Sequence, residues 1–315
     1  MTPCVVGRAP KCDSYYMKDP DPVPTQYEPA ALPSRYRRDI RVENVILNQT
    51  DLVNLISIIQ NKTNDAQRLH IKSIGPASLD EQKELEEDIQ RVFRISYNIM
   101  DFEDNSFSGY DTINTNSGDF PDKIKSVYIS NSEAFKEAAN GRLPQNSVDI
   151  FIDFKRPSMA INFFNLPSNP TENNSIANVY GLNEDWVIST HQKVREFFDK
   201  RKTKRSFIHR SGIYDLFLLG VYIPILLWVA FRIESKFPNA IKESSIVSLI
   251  AIYAYGVLLS LMLGRVIFQY LRWLFPIVEY DSKRSIAPQI RGVIGIILLG
   301  LGTAFFYDII RTVFF

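Results

Sequence analysis

The chain has 315 residues, 45% of them hydrophobic, and its 36 basic and 35 acidic side chains leave a net charge of +1. That balance conceals two opposite parts: residues 1–192 carry a net charge of −8 and residues 193–315 a net charge of +9. An acidic first part argues against a nucleic-acid partner, which needs a basic footprint, and a cysteine content of only Cys4 and Cys12 excludes a disulfide-stapled core or a four-cysteine zinc site.

Residues 1–37 hold Pro10, Pro20, Pro22, Pro24, Pro29 and Pro33 and no apolar run long enough for a signal peptide, so they read as a disordered tail. Met17, followed by an ordinary polar leader, is a second candidate start.

Residues 38–204 read as a packed cytoplasmic domain. Ile40, Val42 and residues 45–47 have strand character, and Thr50 then caps a helix in which Leu52, Leu55, Ile58 and Ile59 recur at helical spacing. Residues 69–74 read as a second strand, and Ser78 with Glu81 as a capping box opening a charged helix over 79–92. Further strands are expected at 94–102, 124–130, 148–154, 160–165 and 175–180, with Pro157-Ser158 folding 148–154 back onto 160–165. Ser132 is expected to cap a short helix ended by Gly141. After the turn at Gly181-Leu182-Asn183, the side chains of Trp186, Val187, Thr190, Val194, Phe197 and Phe198 fall on one helical face, with Glu184 and Asp185 in the first turn. Strands outnumber helices and arrive partly in hairpins, so the class is α+β, a mostly antiparallel sheet with helices on one face. No glycine-rich phosphate loop follows any strand.

Residues 193–210 then carry 8 basic side chains and lead straight into an apolar run. Lys and Arg beside a spanning helix stay on the cytoplasmic side. Three stretches, 213–233, 245–268 and 292–315, reach the roughly 20 apolar residues a crossing needs. Residues 205–315 therefore read as an all-α, three-helix transmembrane region with a cytoplasmic elbow at 269–291. Counting the connections gives 13 basic residues on one side and 4 on the other, which sets the N-terminus in the cytoplasm and the C-terminus outside an inner (plasma) membrane. The elbow's aromatics and spaced arginines suit a helix in the headgroup layer up to Pro276, touching lipid and soluble domain alike.

Within the spans, small residues at four-residue spacing mark close helix packing: Gly256, Ser260 and Gly264 in the second, Gly300 and Ala304 in the third. Their partner is a helix of this chain or of a second copy. Helix direction brings Asp215 toward Arg265 at the inner interface and Arg232 toward Asp308 at the outer one, as an ion path or as structural pins. Pro224 is expected to kink the first span.

Two places offer chemistry. The polar loop 165–174 supplies Asn169, Asn173 and Asn174 as ligand-binding candidates, and Asp149 with Asp153 on one strand face is a candidate divalent-metal pair. His70, His191 and His209 lack metal spacing, no serine lies in a nucleophile elbow, and no cofactor is implied. The function expected is that of a non-enzymatic, oligomeric membrane sensor or effector whose partners are the lipid bilayer, further copies of the chain and a cytoplasmic ligand or protein. The alternatives are a membrane-tethered metal-dependent hydrolase using Asp149 and Asp153, and a membrane scaffold or assembly factor.

Overall fold

The computed structural model describes residues 35–74, 87, 89–113, 120–158, 168–236, 245–282 and 287–314. The Ser78–Glu81 cap, the strand expected at 160–165 and residues 1–34 of the expected tail lie outside them. Strands β1 (Tyr36–Arg41), β2 (Val45–Leu47), β3 (Ser96–Asp101), β4 (Ser106–Tyr110), β5 (Ile124–Ser130), β6 (Asn146–Asp153) and β7 (Ile176–Gly181) alternate with helices α1 (Gln49–Ile74), α2 (Glu133–Ala138) and α3 (Glu184–Asp199). Six strands form one sheet in the order β1-β7-β6-β5-β3-β4, every neighbouring pair antiparallel. Strand periodicity sets its two faces. In β6, Val148, Ile150 and Ile152 are wholly buried while Asp149, Phe151 and Asp153 alternate to the other side.

Helices α1 and α3 pack against the sheet and against each other. All six residues expected on the inner face of α3 are buried. Its N-terminus is closed by Asn183, whose Oδ1 accepts the Trp186 amide at 2.8 Å, and the Trp186 indole donates to the Lys62 carbonyl of α1 at 3.0 Å. Burying the α3 aromatics against the sheet supplies the hydrophobic stabilisation of this layer, about 25 cal/mol per Å² of apolar surface removed from water.

Several local expectations are corrected. Residues 69–74 are the last turns of α1, because the buried Thr63 and Ala66 hold inward positions that an apolar count skips. The cap of α1 is Asn48, exchanging hydrogen bonds with Asp51 at 2.8 and 3.0 Å, and not Thr50. Ser132 occupies the cap position of α2 but makes no cap hydrogen bond; its hydroxyl goes to Asp149 instead. Tyr36 and Arg37, expected in the tail, begin edge strand β1.

Among the described residues after Gly212, three apolar helical stretches follow. Helix α4 (Ile213–Phe217), a π-type turn (Leu218–Tyr222) and α5 (Ile223–Lys236) form a first stretch, α6 (Ile246–Leu274) a second and α7 (Ala287–Phe314) a third. Ile213–Arg232 and Ile246–Leu274 are long and apolar enough to cross a membrane, whereas α7 holds a shorter apolar stretch, Gln289–Ala304. Only 6% of each long apolar window is buried, unlike the core helix of a soluble fold. Pro224 has no amide hydrogen and its ring crowds the carbonyl four residues back, which accounts for the wider π turn just before it.

Helix α6 runs unbroken from Ile246 to Leu274 and stops beside Pro276, since the residue before a proline is steered away from helix. The elbow then supplies strand β8 (Val278–Tyr280), which pairs in parallel with β2 across more than two hundred residues of sequence, adding the Asp281 amide to the Leu47 carbonyl at 2.8 Å. A strand from the residues expected as the elbow thus pairs with one from the residues expected as the cytoplasmic domain.

Candidate functional site

The loop expected at 165–174 to offer asparagines to a ligand lies within the described residues from Ser168 onward. It joins the sheet to the start of the first apolar stretch. The Thr171 amide donates to the His209 carbonyl at 3.2 Å and the Gly212 amide to the Ser168 carbonyl at 3.2 Å, while Ser168 Oγ donates to Asp215 at 2.8 Å. Asn173 is used internally, giving a hydrogen bond to the Val42 carbonyl at 2.9 Å and accepting the Ser175 amide at 3.0 Å. His209 is buried between Thr171 Oγ1, 3.0 Å from Nδ1, and the Phe275 carbonyl, 2.5 Å from Nε2. A carbonyl can only accept, so Nε2 carries the hydrogen and Nδ1 accepts from Thr171. Burial pulls the His209 pKa below the ordinary histidine value.

A buried ion cluster lies on the other side of Phe275. Glu279 of β8, 7% exposed, accepts from Arg205 at 2.9 Å and from Arg291 of α7 at 2.6 Å. Arg291 also caps α6 with two hydrogen bonds to the Leu274 carbonyl, at 3.0 and 2.8 Å, and both guanidinium groups lie over the Phe275 ring. One carboxylate therefore ties the basic segment before the first apolar stretch, the elbow strand and the start of the last helix. Of the other members of the basic run, Arg201 makes a largely covered pair with Asp51 at 2.6 Å, and Lys202 an exposed one with Asp199 at 2.5 Å.

Between loop and elbow opens a cavity of about 430 Å³. Asp153, Lys155 and Arg156 line it from the end of β6, Asn169, Thr171, Glu172, Asn173 and Asn174 from the loop, and Gln269 and Arg272 from α6. Arg156 lies over the Trp273 ring at 4.6 Å, and burial holds its guanidinium below the ordinary arginine value. The structure thus brings the three asparagines and Asp153 to one cavity, leaves Asp149 elsewhere, and adds residues not singled out beforehand. Glu279 had a readable signal: a lone acid in the apolar run LFPIVEY requires a cation when buried. Arg272 and Arg156 had none, because their shared cavity exists only once β6 and α6 meet.

Asp149 sits in a hydroxyl network, accepting from Ser130 at 2.5 Å, Ser132 at 3.1 Å and Tyr180 at 2.7 Å. Burial, then the bond to Asp149, pushes the Tyr180 pKa up to about 12. Asp153, four residues along β6, is about 13 Å away by strand rise, too far to share an ion with Asp149. Among the described residues no three His, Cys, Asp or Glu side chains gather as metal donors.

The small residues in the apolar helices behave differently from one another. Tyr222 lies against Gly264, where an added Cβ would come 3.1 Å from its ring, and its hydroxyl donates to the Ser260 carbonyl at 2.6 Å. Gly256 and Gly300 face open space, and Ala304 is exposed. Asp215 is engaged by Ser168, and it forms no ion pair with Arg265. Arg232 lies over the Trp228 ring at 5.8 Å, and the Asp308 side chain is outside the described residues. The chain matches no known protein family, no characterised protein and no solved structure.

Proposed function

We propose that this chain is a multi-pass protein of the inner (plasma) membrane, N-terminus cytoplasmic and C-terminus outside, acting as a non-enzymatic sensor or membrane effector. In this reading the α+β domain binds a cytoplasmic ligand or protein, and α4–α5, α6 and α7 cross the bilayer and respond. The observation that carries it is the Glu279 cluster together with the β2–β8 pairing. An inert anchor needs only a linker, whereas here the ends of the apolar helices are built into the hydrogen bonding of the soluble domain. In this reading a displacement of β2 is passed on to helix ends instead of being absorbed by a loop.

The open faces at Gly256 and Gly300 favour assembly of several copies. The test is ion leak from anionic vesicles carrying the full chain. Wild type and Glu279→Gln should leak at different rates, because the variant loosens the link between domain and helices. If both leak no faster than protein-free vesicles, the effector reading is wrong.

A further inference from the structure

We propose that the cavity between β6, loop 168–174 and α6 is a binding site for a phosphate group. The proposal deepens the sensor reading by naming the chemistry of the ligand, and it rests on that reading for its consequence though not for its test.

Arg272 carries it. The side chain is 7% exposed, donates through Nε to the Ile208 carbonyl at 3.2 Å and lies over the Phe268 ring at 4.9 Å. Its Nη2 is buried without a hydrogen-bond acceptor, and no carboxylate among the described residues pairs with it. A permanently charged donor left dry in this way calls for an anionic acceptor. Gln269, one turn earlier on the same cavity wall, likewise buries an amide oxygen with no partner. Its oxygen and nitrogen can exchange places by a flip, so it can present a donor or an acceptor to the same ligand.

The other charges point the same way. Lys155 and Arg156 enter the cavity from the end of β6, bringing its cations to three among the described residues. Of the two acids among its described lining residues, Asp153 already accepts the Lys155 amide at 3.0 Å and faces the Asn174 amide nitrogen at 3.5 Å, and Glu172 is exposed. Two planar guanidinium groups and an ammonium suit the tetrahedral oxygens of a phosphate, which accept forked hydrogen bonds at full charge. The volume exceeds that of an inorganic ion and fits a phosphate with a substituent.

Position leaves two sources open. At 1.5 Å per residue, the 29-residue helix α6 is about 43 Å long against a hydrocarbon thickness of about 30 Å, so its last turns, carrying Gln269, Arg272 and the stacked Tyr270 and Trp273, reach the headgroup layer. The phosphate can belong to a lipid headgroup or to a soluble phosphate monoester.

The experiment uses the full chain in neutral detergent. One arm titrates glycerol 3-phosphate against glycerol by calorimetry; the other measures by native mass spectrometry whether phosphatidic acid is retained over diacylglycerol. Binding of glycerol 3-phosphate supports a soluble source, and retention of phosphatidic acid alone supports a lipid source. In either case Arg272→Gln and Arg156→Gln should weaken binding by about tenfold or more, the loss of one charge-assisted hydrogen bond. Should Arg272→Gln fail to fold, Arg156→Gln, nearer the cavity mouth, decides. Absence of both phosphate ligands from wild type, or equal binding by folded Arg156→Gln, overturns the proposal. Neither result depends on vesicle leak, so failure of the phosphate site and failure of the effector reading are separable.

Discussion

Arg291 and Glu279 lie on the last helix and on the elbow strand, and they meet at 2.6 Å with side chains only 12% and 8% exposed. Arg205 approaches the same carboxylate from the basic run, so two cations depend on one buried anion. Removing that anion strands at least one desolvated guanidinium. Glu279→Ala should lower the stability of the full chain by about 3 kcal/mol or more, while a change to hydrophobic residues at all three positions would cost much less. Thermal unfolding in detergent checks both expectations.

The two flanking glycines of the second apolar helix should part company. Gly264→Leu forces a side chain into the Tyr222 ring and breaks the Tyr222–Ser260 hydrogen bond, with an expected cost of about 1–3 kcal/mol. A Cβ added at Gly256 meets nothing within 4 Å in one copy of the chain, so Gly256→Leu starts into open space. It should leave the fold of a single chain intact and reduce only self-association, which analytical ultracentrifugation in detergent would report.

This division was only partly legible beforehand. Four-residue spacing identifies Gly256, Ser260 and Gly264 as small but does not say which of them a large partner such as Tyr222 covers. The α3 face was readable because its apolar residues recur at 3.6-residue spacing over four turns and the opposite face is charged. Strand β8 was hidden: three residues after a proline carry little periodicity, and the partner β2 is remote in sequence. Strand β4, SFSGY, escaped because it is a polar edge strand, and Gly109 within it is required by the Tyr97 ring lying where a Cβ would be.

His209 gives the chain a pH dependence of known sign. Burial lowers its folded pKa beneath the unfolded value of about 6.5, so the unfolded chain binds more protons between the two values. Its contribution is complete above about 6.5 and is lost as pH falls through the folded pKa. The melting temperature should therefore decline on acidification below about 6.5. His209→Gln, whose amide can still donate to the Phe275 carbonyl, should flatten part of that decline. His70 and His191 are shifted the same way by burial and keep the remainder.

Asp149 is expected to serve the fold. Asp149→Ala would leave the Ser130, Ser132 and Tyr180 hydroxyls without their common acceptor, two of them on wholly buried serines, at a cost of about 1–3 kcal/mol. Adding manganese to the wild-type chain should not raise its melting temperature. A manganese-dependent rise that vanishes in Asp149→Asn would restore the hydrolase alternative.

The most direct test of the link between domain and helices is hydrogen–deuterium exchange on the full chain in nanodiscs, wild type against Glu279→Gln. The expected result is faster exchange in the variant at three separated places together: Val45–Leu47 of β2, Val278–Tyr280 of β8 and the first turn of α4 at Ile213–Phe217. Faster exchange confined to the residues next to 279, with β2 and α4 unchanged, would contradict it and reduce the apolar helices to an anchor.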